Sequence, residues 1–485
     1  MKKDTIVLYP SPGMGHLISM VELGKLILTH HPSFSIIIFI TNAPYNTGST
    51  AAYINRVSQT TPSILFHHLP TISLPLDSTI ESPHLETLVF KLLHLNNPNV
   101  HQALKTISQS STVKSFIIDF FCYSSLDFAH NLKIPTYYFF TASAACLAFH
   151  LYFPTIHKNT TKNFKNLQTH LGFPGLPSIL ASDMPKPMLD RTDEAYDEFL
   201  YFSASIPRSQ GIIVNSFELL EPRPIKAISD GLCVPNASTP PVYYIGPLID
   251  STDGRKNGPG SNESVCLDWL DSQPSRTVVF LSFGSLGLFN AAQLKEIAVG
   301  LEKSGHRFLW VVRSPSEPKD KTRRFLAPPE PDLDALLPKG FLARTKVRGL
   351  VVKSWAPQVK VLSHKSVGGF VTHCGWNSAL EAVCGGVPMV AWPLYAEQRM
   401  NKAVLVEDMK LALPMDESED GFVTASEVEK RVKELMDDSD DGIGSLRKRI
   451  MVMSEGAKAA MSEGGSSRRA LAELAESWKL GNQII

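Results

Sequence analysis

Two residues near the start of this 485-residue sequence have the type and setting for acid–base chemistry. His16 closes the run Pro10-Ser-Pro-Gly-Met-Gly-His16, behind the apolar segment Thr5-Ile-Val-Leu-Tyr9 and at the opening of a helical pattern. Asp119 closes Phe116-Ile-Ile-Asp119. Each stands where a buried parallel strand would end, the edge on which open α/β sheets gather their ligands. An imidazole in that place can take a proton near neutral pH, and a carboxylate beside it fixes its tautomer and stabilises the imidazolium. Spacing does not separate this dyad from an Asp119 that caps the helix starting near Ser124.

The same loop resembles a dinucleotide fingerprint only in part. Gly13-x-Gly15 supplies two of three glycines, Ile18 stands where the third belongs, and the second strand ends in Thr41-Asn42 rather than in an acid for ribose hydroxyls. A nicotinamide oxidoreductase is therefore disfavoured.

A second constellation lies between Trp355 and Gln398. The strand-like Gly369-Phe-Val-Thr372 runs into His373-Cys-Gly-Trp-Asn-Ser378 and then into a helix expected over Ala379–Val383. A glycine-containing loop feeding a helix N-terminus presents unpaired N–H groups and a positive dipole end, which is a seat for phosphate. His373, Asn377 and Ser378 can add donors, so a diphosphate could be held without lysine or an obligatory metal. Glu381, a turn further on, could accept from two ribose hydroxyls. Trp355 offers an indole face to a base, although core packing is the commoner fate of a tryptophan such as Trp355 or Trp376.

The elements that must carry these residues follow an α/β grammar. Thr5–Tyr9, Ser35–Ile40, Lys114–Ile118 and Thr136–Phe140 are continuously apolar, as strands buried on both faces are, with helical patterns between them. After Tyr243–Leu248 the polar, Gly/Pro-rich run Asp250–Asn262 marks a linker. A second series follows: strands Thr277–Ser282, Arg307–Val312, Gly349–Lys353, Gly369–Thr372 and Met389–Trp392, with a helix over Ala291–Lys303. Pro315–Pro338 reads as an exposed loop in which Asp332-Leu-Asp334 is a solvated turn rather than a metal motif. The acidic run Asp437–Asp441 reads as a loop between helices. The final segment, Ser467–Trp478, is a helix with Leu471, Leu474 and Trp478 on one face, and it needs a surface to dock on.

Composition removes several classes. Lys+Arg and Asp+Glu both number 47, so the net charge is zero and no basic footprint for nucleic acid or an anionic membrane exists. Hydrophobic residues at 43% with 19% charged residues suit a globular chain with a sizeable core. Six scattered cysteines without a Cys-x-x-Cys pair suggest free thiols in a reducing compartment. The apolar run Ile6–Tyr9 is too short for a secretory signal, and the uncharged stretch Ile134–His157 is interrupted by Pro135 and Pro154, so a strand followed by a buried helix is expected instead of a membrane span.

The segment Trp355–Gln398 resembles the signature box of the plant family 1 UDP-dependent glycosyltransferases. Similarity extends along nearly the whole chain through Gly-x-Gly-His at 13–16, Val214-Asn-Ser-Phe-Glu218, Tyr244-Ile-Gly-Pro247, Asp268-Trp-Leu270 and Phe280-Leu-Ser-Phe-Gly-Ser285. The resemblance implies the α/β GT-B architecture, two Rossmann-like doubly wound parallel-sheet domains facing across a cleft. Its expected limits here are an acceptor-binding domain over 1–248, a linker over 249–262, a UDP-sugar domain over 263–465 and a terminal helix over 466–485 packing back on the first domain. It also implies roles. His16 would be the base and Asp119 its support. Trp355 would stack on uracil, with Ala356 and Gln358 at the base or ribose, and Glu381 would bind ribose. His373, Asn377, Ser378 and Ser285 would hold the diphosphate. Trp376, Glu397 and Gln398 would meet the sugar, Glu397 standing where the family often has Asp and Gln398 resembling glucose users.

The function implied is inverting transfer of glucose from UDP-glucose to a hydroxyl of a phenolic acceptor. Phe283–Phe289 and Gly305–Arg313 resemble the branch acting on flavonoids, isoflavonoids and chalcones. Phe120, Phe121 and Tyr123 beside Asp119 could line a flat acceptor pocket or belong to the core. The box contains no arginine for a glucuronate carboxylate, which favours a neutral sugar. A cytoplasmic monomer is expected, with UDP-sugar and an aromatic small molecule as its partners and no metal or other cofactor. Carbon glycosylation of the same acceptors, and a UDP-sugar-binding protein without transfer, are the competing readings.

Overall fold

A computed structural model describes residues 2–45, 50–74, 84–250, 262–315, 326, 328–437 and 441–480. Most of the expected linker and parts of the expected loops at 315–338 and 437–441 lie outside these residues. The chain divides into two compact units, Met1–Ile249 joined by the chain from Ala459 onward, and Asp250–Lys458. The second boundary falls inside the helix Asp441–Met461.

Among the described residues the first unit carries a seven-stranded sheet formed by β1 (Lys3–Tyr9), β2 (Ser35–Ile40), β3 (Ile64–His68), β4 (Ser111–Asp119), β5 (Thr136–Phe140), β6 (Gly211–Val214) and β7 (Val242–Tyr244). Its order is β3-β2-β1-β4-β5-β6-β7, with every pairing parallel. The sequence shows why: Ile36, Ile38, Phe39, Phe116, Ile117 and Ile118 are all buried, as strands covered by helices on both faces require. β3, β6 and β7 are three strands that the apolar pattern did not reveal. They are short, and Ile64–His68 ends in two histidines.

The second unit repeats the plan with β8 (Val278–Ser282), β9 (Arg307–Val312), β10 (Gly349–Lys353), β11 (Val367–Thr372), β12 (Met389–Ala391) and β13 (Ala412–Pro414), in the order β10-β9-β8-β11-β12-β13, again all parallel. β13 was also illegible in the sequence. Each sheet reverses direction of growth between its first and fourth strands, so each has a crevice at the ends of β1 and β4 or of β8 and β11.

The helix Ser466–Leu480 belongs to the first unit. Leu471, Leu474, Ala475 and Trp478 are buried in the core formed by β1, β2 and the helix Met14–His30. Trp478 meets Phe34 and Tyr137 edge-on at centroid separations of 5.8 and 6.3 Å. Ser467 Oγ donates to the Gly246 carbonyl at 2.6 Å, which fixes where the helix begins. The uncharged stretch after Ile134 forms β5 and then the buried helix Ala144–Asn159. Among the described residues no helix is long and apolar enough to cross a membrane.

Candidate active site

In the first unit, parallel pairing sets Tyr9 opposite Ile118, so the loop after β1 and the end of β4 are neighbours. Gly13 sits at φ 149°, an angle that side chains rarely adopt, and lets the chain turn into the helix Met14–His30. His16, in the first turn, thereby reaches Asp119: Nδ1 to Oδ2 is 2.7 Å. Asp119 is wholly buried, whereas the His16 side chain keeps 26% exposure. The other Asp119 oxygen accepts from the amide of Phe121 at 3.1 Å and caps the 3-10 turn Phe120–Ser125. One oxygen thus meets the imidazole and the other caps a turn at Phe120, not the helix expected near Ser124, which begins at Leu126.

Thr141 joins this pair. Its hydroxyl lies 3.2 Å from His16 Nδ1, and Ser143, not Thr141, caps the helix Ala144–Asn159 by accepting from Cys146 N. Phe120 and Phe121 flank the imidazole at 5.7 and 5.6 Å between ring centroids. Glu221, which sequence reading passed over, is buried and accepts from the amides of Ala144 (2.8 Å) and Ala145 (2.9 Å) and from the hydroxyl of Ser216. It closes off the start of the helix that follows Thr141.

In the second unit, Ser282 pairs with Thr372, so the turn after β8 and the loop after β11 adjoin. His373 lies between them. A Cβ on Gly284 or on Gly375 would come within 2.5 Å of His373 Nε2, so both positions need glycine for close approach. Cys374 takes a left-handed φ of 66°, with its carbonyl held by Asn401 Nδ2 at 2.9 Å. Asn401 carries no sequence signal of this role. Burial pushes the His373 imidazole down to about 4, so it is neutral at physiological pH, and its buried Nδ1 has no hydrogen-bond partner among the described residues.

The following helix spans Trp376–Gly385 with Gly375 as its cap. It starts three residues before the expected Ala379, because no side-chain cap is needed when the glycine carbonyl itself begins the ladder: Ala379 N donates to Gly375 O at 3.0 Å. Trp376, Asn377 and Ser378 therefore form its first turn. Gln358 Nε2 donates to Ser378 Oγ (2.8 Å) and Glu381 Oε2 (2.6 Å), bringing three of the expected residues together. Trp355 is half-buried, behind Ser354 at φ 63°, and Ala356 is buried. Trp376 is buried as well.

The end of the box is turned inward. Gln398 is 2% exposed and its Oε1 accepts from the amides of Leu394 and Tyr395, while Glu397 Oε1 accepts from Asn401 Nδ2 at 3.2 Å. Ser285 is exposed in the turn after β8. Asp332, in the segment that mimics a metal motif, caps the short helix Leu333–Leu336. Among the described residues no group of three or more His, Cys, Asp or Glu is placed to hold a metal ion.

Residues 241–456 match the family described as UDP-glucoronosyl and UDP-glucosyl transferase. The chain is 51% identical over 493 residues to an anthocyanidin 5,3-O-glucosyltransferase of a Rosa hybrid cultivar, covering 99% of this chain and all of the relative. The chain belongs to the plant UDP-glycosyltransferases. It is 50% identical over 485 residues to a phloretin 2'-O-glucosyltransferase of Pyrus communis, across 98% of this chain and 99% of that one. The structure of Phytolacca americana UGT2 complexed with UDP-2fluoro-glucose and pterostilbene superposes with a TM-score of 0.85 at 38% identity, covering 98% of this chain and 100% of the other. The fold is GT-B and the protein is a glycosyltransferase.

Proposed function

We propose that this glycosyltransferase moves glucose from UDP-glucose, with inversion, to a phenolic hydroxyl of a flavonoid- or chalcone-type acceptor. The observation that carries this reading is the 2.7 Å contact between His16 Nδ1 and the buried Asp119. With Nδ1–H donated to the carboxylate, Nε2 is the basic nitrogen. It removes the phenolic proton as the acceptor oxygen bonds to the anomeric carbon, and the bond from that carbon to the diphosphate breaks, its electron pair leaving with UDP. Asp119 stabilises the imidazolium formed, and the Thr141 hydroxyl shares the Nδ1 face.

The donor falls to the second unit, the expected domain over 263–465, and the acceptor to the first, over 1–248. Gln358 and Glu381 take the ribose end. His373, Asn377, Ser378, Ser285 and the amides of the Trp376 turn take the diphosphate, whose insertion would give the orphan Nδ1 of His373 a partner. Trp355 and Ala356 take the base, and Trp376, Glu397 and Gln398 the sugar. The relatives acting on anthocyanidin and phloretin support a flat aromatic acceptor, and the absence of arginine from the box supports glucose over a glucuronate. A diphosphate-activated sugar and a seat of helix amides support transfer without a metal. Six cysteines outside any disulfide, five of them buried, support a cytoplasmic location, and the protein acts as a monomer.

The test supplies purified protein with UDP-glucose and a panel containing phloretin and an anthocyanidin, with EDTA present. Release of UDP together with a product heavier by one hexose, carrying a β-O-linkage by NMR, is expected. Neither UDP nor such a product across the panel, or a carbon-linked sugar, would overturn the reading.

A further inference from the structure

Arg313, in the second unit, has no carboxylate partner among the described residues. Arg313 follows the last residue of β9, and its Nη1 donates to the carbonyl of Gly284 at 3.3 Å and to that of Ser285. Its Nε is buried and has no hydrogen-bond partner. Three other cations in or near the box are paired with carboxylates: Lys360 with Glu263, and Arg399 and Lys402 with Glu417. Among the described residues no Asp or Glu pairs with Arg313. Burial lowers its pKa.

Arg313 also grips a turn that packs on His373. The turn at Gly284 and Ser285 is held by Arg313 on the carbonyls of both residues, with His373 packed against Gly284 and the His373 ring 6.0 Å from that of Tyr395. A guanidinium that donates to a peptide carbonyl polarises that peptide, which makes the N–H on its far side a stronger donor. For the Gly284 carbonyl, that N–H is the amide of Ser285.

We propose that Arg313 is a positioning residue for the donor's diphosphate, supplying the formal positive charge of a seat otherwise built from neutral amides and His373, through the peptide groups of Gly284 and Ser285. Arg313 is half-buried, and a dianionic group arriving at the adjoining turn offsets the cost of partly desolvating its charge. The arrangement gives affinity for the charged part of the donor and none for its nucleoside. This inference rests on the donor-site reading above.

The experiment compares dissociation constants for UDP, UMP and uridine in the unaltered protein, R313K, R313M and R313Q, with a thermal melt for each. R313M is expected to weaken UDP by about 10- to 100-fold, UMP by less, and uridine by under about twofold, while R313K restores part of the UDP affinity. R313Q keeps a donor for the carbonyls and removes the charge, so it should fall between R313M and R313K for UDP, and it decides the matter should R313M not fold. Equal loss of UDP and uridine would mark Arg313 as a loop support only, and UDP affinity unchanged in R313M and R313Q would also overturn the proposal. If the unaltered protein binds none of the three ligands, the donor-site reading fails together with it.

Discussion

His16 Nδ1 and Asp119 Oδ2 are 2.7 Å apart across 103 residues of sequence, and the second Asp119 oxygen is spent on the amide of Phe121. One carboxylate thus orients the imidazole and fixes the turn that carries Phe120 and Phe121. Asp119→Asn should lower kcat by about 10²- to 10⁴-fold, and His16→Ala by at least as much, with the UDP-glucose KM little changed. Steady-state kinetics at saturating acceptor checks this; a kcat for His16→Ala within a few-fold of the parent would remove His16 from the mechanism.

The glycines around His373 make a steric prediction. Gly375 has an ordinary φ of −63°, so its substitution is penalised by the His373 ring alone. Gly375→Ala should raise the UDP-glucose KM about tenfold and cost about 1–3 kcal/mol of stability, as overpacking does. Combining it with His373→Ala should relieve the stability cost, a non-additivity that a double-mutant cycle would read. Full additivity would show the clash to be elsewhere.

Glu221 is expected to be structural and costly to remove. It is buried and accepts from two amides and a hydroxyl. Glu221→Ala leaves Ala144 and Ala145 N–H groups unsatisfied and should destabilise the first unit by about 2–4 kcal/mol. Urea unfolding, with Glu221→Gln as the milder comparison, measures it.

Two buried histidines predict acid sensitivity. His373 and His150 are both pushed down by burial, to about 4 and about 3, whereas an unfolded chain titrates them near 6.5. Their contribution is therefore fully present above about pH 6.5 and is lost as pH falls toward 4 and then 3, because the unfolded state binds the protons first. The two together give a slope of at most about 2.7 kcal/mol per pH unit. Unfolding free energies at pH 7, 6 and 5 should decline accordingly, and His150→Gln should remove about half of that slope.

Truncating the terminal helix's anchor tests its docking. Trp478 is 1% exposed between Phe34 and Tyr137. Trp478→Ala should cost about 3–5 kcal/mol, seen as a lowered urea midpoint with an unchanged transition slope. A change near zero would mean that the helix contributes little to the first unit.

The seat at residues 373–378 and the ends of β1 and β4 were legible because periodicity and loop composition act locally: apolar runs announce strands, and glycines before a helix announce unpaired amides. The strands Ile64–His68, Gly211–Val214, Val242–Tyr244 and Ala412–Pro414 were not legible. They are three to five residues long, too short for a periodic signal, and exist because a neighbouring strand offers an edge. Thr141, Glu221, Asn401 and Arg313 were missed as members of the site region, since each acts on a partner far away in sequence.

By itself, then, the sequence determined the element types, the two Rossmann series, the amide-rich turn at His373 and the residue types able to move a proton. The tertiary structure alone decided that Asp119 meets both His16 and its own turn, that the helix begins at Trp376, that Gln398 is buried, and that Arg313 pairs with no carboxylate among the described residues. The division has a physical cause. Local preferences depend on a few adjacent residues, whereas a hydrogen bond or an uncompensated charge depends on the register of parallel strands, which sets distant loops side by side.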